Sequence, residues 1–187
     1  MAVAKEVESK SDGFQRQLGR LGFELSPTND SSLPCTACVR FGVSARWRAD
    51  YPDFRPLIPP EPESVGYRVA DAGFGKGMGV FAVKSFEVGE LVLAEAPLVI
   101  YPRDPEDLDS DAMFDQLFAS MNGADQNMAL AMANCKGSDM SPFEGVLKTN
   151  VFGILLAGGG EGVPEEYAGL FPVMGRINHR SALVFAG

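Results

Sequence analysis

A chain of 187 residues is long enough for one domain of ordinary size and short for two. Hydrophobic residues make up 45% and charged residues 22%, a globular balance rather than a disordered one. The formal net charge of −9 argues against a nucleic-acid binder working through bulk charge and against docking on an anionic membrane, but it leaves room for a basic protein segment as partner.

Met1 to Asp12 carries Lys5, Glu6, Glu8, Lys10 and Asp12 and has no apolar core of signal-peptide type. No stretch approaches the roughly 20 apolar residues of a membrane helix. The expected location is the nucleus or the cytoplasm. Residues 1–65 read as a poorly ordered N-terminal segment and linker that packs little on the rest of the chain. Phe14, Leu18 and Leu21 have helical spacing, which allows one short amphipathic helix there. Cys35 and Cys38 form a C-x-x-C pair after Pro34. A zinc site would need further donors, and only Cys135 and the single histidine, His179, are on offer. The pair therefore reads as two small, reduced residues in a loop. Pro52, Pro56, Pro59, Pro60 and Pro62 then keep the chain extended or turning.

The pattern changes at Gly66. Tyr67 to Ala70 alternates like a short strand, and Met78 to Lys84 like a second. The glycine-rich run Asp71 to Gly77 lies between them. Leu91 to Tyr101 reads as a third strand, apolar enough to be buried on both faces and interrupted at Pro97. Tyr67 to Tyr101 is thus expected to form one β unit. Ser110 is placed to cap a helix with Met113, Phe114, Leu117, Phe118 and Met121 on its apolar side, ended by Asn122-Gly123. Ala124 to Cys135 predicts a second helix and Pro142 to Leu156 a third, with Pro142 in its first turn. Gly162 to Pro172 reads as mixed loop, and Ala182 to Phe185 as a further strand. Strands, then helices, then a strand make an α+β chain, mostly antiparallel.

Three short segments carry chemical potential. The first is Gly73-Phe-Gly-Lys-Gly-Met-Gly79, whose alternate glycines let backbone N–H and C=O groups approach a ligand. It lacks the G-K-[ST] ending of a phosphate-binding loop and opens into no helix, so a plain hairpin turn is the competing reading. The second is Asn150, a poor helix former within an apolar helix. Buried, its amide must find partners or serve a ligand, and the competing reading is a solvated helix face. The third is Arg176-Ile177-Asn178-His179, where an amide stands beside the lone histidine.

Taken in order, these segments resemble a known family. G-K-G-M-G-V-F-A followed by V-G-E-L-V-L-A-E-A-P-L is similar to the opening of a SET domain. K-T-N-V-F-G-I, then A-G-L-F-P-V-M-G-R-I-N-H, resembles the middle of that domain in its fungal and SET–MYND-type branches. The resemblance runs from about Tyr67 to His179 and implies small β-sheets of SET type over residues 66–187, with a helical insert at about 104–157. It further implies a protein-lysine methyltransferase that uses S-adenosylmethionine, acting on a basic, lysine-containing protein segment of histone or non-histone origin, with no direct nucleic-acid partner. In that family Lys76, Gly77, Met78 and Gly79 would offer backbone groups to the methionine part of the cofactor. Asn178 and His179 would bind its amino and adenine parts, and Asn150 would reach it from the helix.

The resemblance stops at His179. The family continues with a serine and cysteine, a proline-asparagine pair and a later tyrosine block, whereas Arg180 to Gly187 contains none of these beyond Ser181. Tyr51, Tyr67, Tyr101 and Tyr167 all precede the asparagine-histidine pair, so no catalytic residue is assigned. The implied domain is truncated, lacks the strand that closes the pseudoknot, and is expected to be inactive as this chain. A non-catalytic SET-scaffold interaction module, or a gene-model fragment, is the alternative.

Overall fold

A computed structural model describes residues 2–27, 35–50, 66–104, 108–157 and 164–177. Within them the protein is a mixed α+β chain with five α-helices and two small, mostly antiparallel sheets. The helices are α1 (Ala2–Leu21), α2 (Val43–Asp50), α3 (Ser110–Ser120), α4 (Gly123–Leu130) and α5 (Pro142–Asn150). The strands are β1 (Phe23–Ser26), β2 (Thr36–Arg40), β3 (Tyr67–Asp71), β4 (Met78–Ala82), β5 (Val99–Pro102), β6 (Val151–Ala157) and β7 (Pro164–Leu170). A 3-10 turn, Met174–Arg176, follows β7.

The larger sheet has the order β1-β2-β5-β7-β6. Its one parallel pair is β2 with β5, where Thr36 lies opposite Val99. The other neighbours run antiparallel. Strand side chains alternate between faces, and the two apolar clusters follow that alternation. Cys38, Val99, Tyr101, Ala168 and Leu170 share one cluster with Phe14 and Leu18 of α1 and with Met113, Leu117, Phe143, Val146 and Leu147 of α3 and α5. Ala37, Val39, Ile100, Leu156 and Tyr167 meet Val43 of α2 in the other. The sheet is therefore a middle layer with helices on both sides.

The expectation for residues 1–65 is corrected over 2–27 and 35–50. This segment supplies a 20-residue helix and two sheet strands, and Phe14, Leu18, Phe23 and Cys38 are buried in the main core. The physical reason is that β2 pairs on both edges, so the sheet is continuous only with it in place. Cys35 and Cys38 lie at and within this strand rather than in a loop. Burial pushes both thiols up to about 12. The proline-rich stretch falls outside the described residues from 51 to 65, and so does the strand expected at Ala182 to Phe185.

Other boundaries move for local reasons. The α3 cap is Asp109, whose Oδ1 accepts from Asp111 N and Ala112 N at 3.1 Å, so Ser110 is the first helical residue. Asn122 caps the next helix instead of ending the previous one, its Oδ1 accepting from Asp125 N at 2.9 Å. The helix begun at Pro142 stops at Asn150, and the Val151–Ala157 part of the expected insert is strand β6. Its β-branched and aromatic side chains suit a pleated surface, and its partner β7 arises from the stretch expected to be loop, with Val151 opposite Leu170 and Ala157 opposite Pro164.

The expected β unit from Tyr67 to Tyr101 divides. β3 and β4 form a separate two-stranded sheet with Val69 opposite Val80. β5 belongs to the large sheet, and residues 83–98 between them form no strand. Leu91 is 74% exposed, so this stretch is not the doubly buried strand that its composition predicts.

Candidate functional site

The glycine-rich run is the turn of the β3–β4 hairpin. Gly73, Phe74, Gly75 and Gly77 all have positive φ, a region open to glycine and strained for other residues. The turn is closed by Ala72 N donating to Gly77 O at 2.8 Å, by Lys76 N donating to Gly73 O at 3.1 Å, and by Gly73 N donating to Asp71 Oδ1 at 2.8 Å. A Cβ at Gly77 would meet nothing within 4 Å. Lys76, Gly77 and Met78 are exposed, and Gly79 is buried. Beyond its pairing with β3, the second edge of β4 has no strand partner among the described residues.

β4 packs against the 3-10 turn Met174–Arg176, the element that leads towards the asparagine-histidine pair. Glu95 fixes that turn. Its two carboxylate oxygens accept from Val173 N at 2.7 Å and Met174 N at 2.9 Å. Burial raises the Glu95 carboxyl above the ordinary glutamate range, opposed by these two N–H groups and by the nearby Arg176 charge. Burial, and then the Glu95 charge, push the Tyr67 phenol up as well. On the inner side of the turn, a Cβ on Gly175 would lie 2.7 Å from Met132 Cε and 3.4 Å from Asn150 Cβ. The Asn150 distance is ordinary van der Waals contact, so the turn lies directly against the end of α5.

Asn150 is 7% exposed. Its amide nitrogen donates to Ala133 O at 2.7 Å and Val146 O at 2.8 Å. Both amide hydrogens are thus engaged within the fold, and Oδ1 is the part left for another group. Of the expected readings of Asn150, the solvated face is corrected: the amide is buried and has found partners, tying α5 to the loop after α4.

The structure therefore sets the 3-10 turn against β4 and against Asn150. Asn178 and His179 lie outside the described residues, so their expected approach to Gly77 and Gly79 is not described. Sequence reasoning missed Glu95 as a positioning residue. Its signal is a carboxylate set between Ala94 and Ala96-Pro97 in an otherwise apolar run, a placement that calls for a partner.

Among the described residues, no group of three or more His, Cys, Asp or Glu side chains is placed to hold a metal ion. No helix among them is long and apolar enough to cross a membrane. No family model, no curated protein and no solved structure matches the chain.

Proposed function

We propose that this chain carries the opening and middle of a SET-type domain and belongs to the S-adenosylmethionine-dependent protein-lysine methyltransferases by descent. The observation that supports this most is that the turn before Asn178 packs against β4, the strand that leaves the glycine-rich run, and also lies against Asn150, three segments far apart in the chain. These are the segments whose motifs carry the resemblance. The turn at Gly77 has open space around it and Lys76, Gly77 and Met78 are exposed, which suits close approach of a ligand, while Lys76 N and Gly77 O are engaged within the turn. Asn150 suits it less, because its donors are already spent.

S-adenosylmethionine would supply an electrophilic methyl group at its sulfonium. The chain's own part would be to hold that group and to align a neutral lysine amine with it. Misplacement by about 1 Å can cost on the order of a hundredfold in rate. Tyr51, Tyr67, Tyr101 and Tyr167 all precede the asparagine-histidine pair, and none matches the alignment group of the resembled enzymes. We expect weak cofactor binding and no methyl transfer by these 187 residues on their own. A non-catalytic scaffold is the second reading, favoured by the internal engagement of Asn150.

Calorimetric titration with S-adenosylmethionine tests the binding half. Weak saturable binding lost in Gly79→Trp supports it, provided that Gly19→Trp on the exposed face of α1 retains binding. No saturable binding, or binding retained by Gly79→Trp, overturns it. Methyl transfer from labelled cofactor to histones and cell extract tests the other half. Clear turnover abolished by Asn178→Ala would show that the 187-residue chain is an active enzyme.

A further inference from the structure

A second neighbourhood, lined by other residues of α5 than the Asn150 end that meets Gly175, has a different chemistry. A cavity of about 470 Å³ lies between α3, α5, β5 and β6, and it is lined by none of the residues assigned to the cofactor. Tyr101 forms part of its wall. Tyr101 is 6% exposed and stands edge-on to Phe114 with ring centroids 5.3 Å apart. Its hydroxyl has no hydrogen-bond partner among the described residues. A buried phenol normally finds one, because an unmade bond leaves its desolvation uncompensated. An unpartnered hydroxyl in the wall of a cavity therefore points to a bound group.

The charged lining states what that group must carry. Lys148 is paired with Glu144 at 2.6 Å along α5, and Arg103 is paired with Glu166 across the β-sheet. Two lining charges remain without an ion-pair partner among the described residues, the Lys136 ammonium and the Asp111 carboxylate. Lys136 is held in place by its backbone. Its N donates to Asn134 Oδ1 at 2.9 Å, and the preceding Cys135 N donates to Thr149 Oγ1 of α5 at 3.3 Å. Asp111 sits in the first turn of α3, behind the Asp109 cap. Phe114 and Phe152 supply apolar surface.

A simple anion would satisfy Lys136 but meet Asp111, and the adjoining recess adds Asp115 and Asp139 to that repulsion. A simple amine would satisfy Asp111 but meet Lys136. One cation, one carboxylate, one hydroxyl and an aromatic wall together complement a small zwitterion with an apolar body. We propose that this cavity binds a free apolar or aromatic α-amino acid. Its carboxylate pairs with Lys136 and accepts from the Tyr101 hydroxyl, its ammonium pairs with Asp111, and its side chain lies against the phenylalanines. This site is independent of the methyltransferase reading and stands or falls without it.

Calorimetric titration of the full chain with L-phenylalanine and L-leucine is the test, alongside N-acetylphenylalanine, phenylalaninamide and phenethylamine. The free amino acids should bind saturably, and each analogue lacking one charge should bind about tenfold more weakly or not at all. Lys136→Ala and Asp111→Asn should each weaken L-phenylalanine by about tenfold. Tyr101→Phe keeps the ring against Phe114 and removes only the hydroxyl. It should weaken binding severalfold while leaving the ligand-free thermal midpoint unchanged or raised, since no bond is lost. Absence of saturable binding for both amino acids overturns the proposal. So do equal affinities for the single-charge analogues, or affinity unchanged in all three variants.

Discussion

The five-stranded sheet and the β3–β4 hairpin are built from similar residues and held by different means. In the sheet, Val99 and Leu170 are fully buried, and every inner strand is paired on both edges. The hairpin has two strands, and on it and the loop after it Phe81, Val83, Leu91 and Val92 are exposed. A lone two-stranded ribbon is marginal in water, so its place depends on contacts such as those with the 3-10 turn. The sheet is the part that makes the fold stable. The hairpin is the part where the candidate cofactor backbone lies, and local opening is cheapest in such thinly packed regions.

One substitution made in both regions tests this division with the largest effect. Leu147 on α5 has no exposure, and Leu91 beside the hairpin is 74% exposed. Leu147→Ala should destabilise by about 2–5 kcal/mol through lost burial and the cavity left behind. Leu91→Ala should stay within about 0.5 kcal/mol. Urea unfolding read by circular dichroism gives both numbers. Comparable losses at the two sites would mean that the hairpin and its loop belong to the main cooperative unit.

Glu95 joins the two regions, and its removal should have an intermediate effect. Glu95→Ala leaves Val173 N–H and Met174 N–H without their acceptor, which costs about 1–3 kcal/mol where those groups stay away from water. The pH dependence carries a sign that separates this tie from a plain surface contact. The Glu95 carboxyl is raised by burial, so the folded chain holds that proton more tightly than the unfolded one. Its contribution to stability is present below the ordinary glutamate range and is lost as pH rises through the raised folded value. Glu95→Gln keeps one acceptor oxygen and has no such proton. The difference in stability between wild type and Glu95→Gln should therefore move against the wild type as pH rises through that window. A flat difference across it would show that Glu95 titrates as it does in the unfolded chain.

The same division explains what could be read in the sequence. The amphipathic pattern of Met113, Phe114 and Leu117 and the Pro142 start of α5 report local geometry, and the structure keeps them. The hairpin at Tyr67 to Ala82 was legible because its turn is written in glycines. The large sheet was not, because its partners are distant. β2 pairs in parallel with a strand about 60 residues on, and no local signal marks such a pairing. β7 hides for another reason. Pro164, Glu165 and Glu166 make its start look like a loop, while Tyr167 to Leu170 are buried together because helices cover both faces. Tyr167 shows how tightly that end is built, its hydroxyl donating to Glu165 Oε2 at 2.8 Å and accepting from Arg40 N of β2 at 3.3 Å. Of the candidate site, the glycines and Asn150 were visible as unusual residues. That Asn150's amide would be consumed by Ala133 and Val146 could not be seen, because Ala133 lies in a loop whose path is set by tertiary packing.

The smallest expected effect sharpens the comparison most, because it acts on the hairpin alone. Phe74 has φ 53° and is the only non-glycine residue with positive φ among the described residues. Its side chain is fully exposed, so no packing offsets the strain. A left-handed conformation costs a non-glycine residue about 1–2 kcal/mol. Glycine removes that cost but adds freedom to the unfolded chain, which takes back about 0.4–1 kcal/mol. Phe74→Gly should therefore tighten the turn by at most about 1.6 kcal/mol. Phe74→Ala keeps the strain and should change little. Global unfolding is a poor readout, because a ribbon that opens locally contributes little to the main transition. Amide exchange at Ala72, which donates to Gly77 O across the turn, reads the hairpin directly. Slower exchange there in Phe74→Gly, with unchanged exchange in β5 and β7, is the expected result. Faster exchange would mean that the Phe74 side chain holds the turn closed, and the hairpin would then owe its shape to that residue rather than to its glycines.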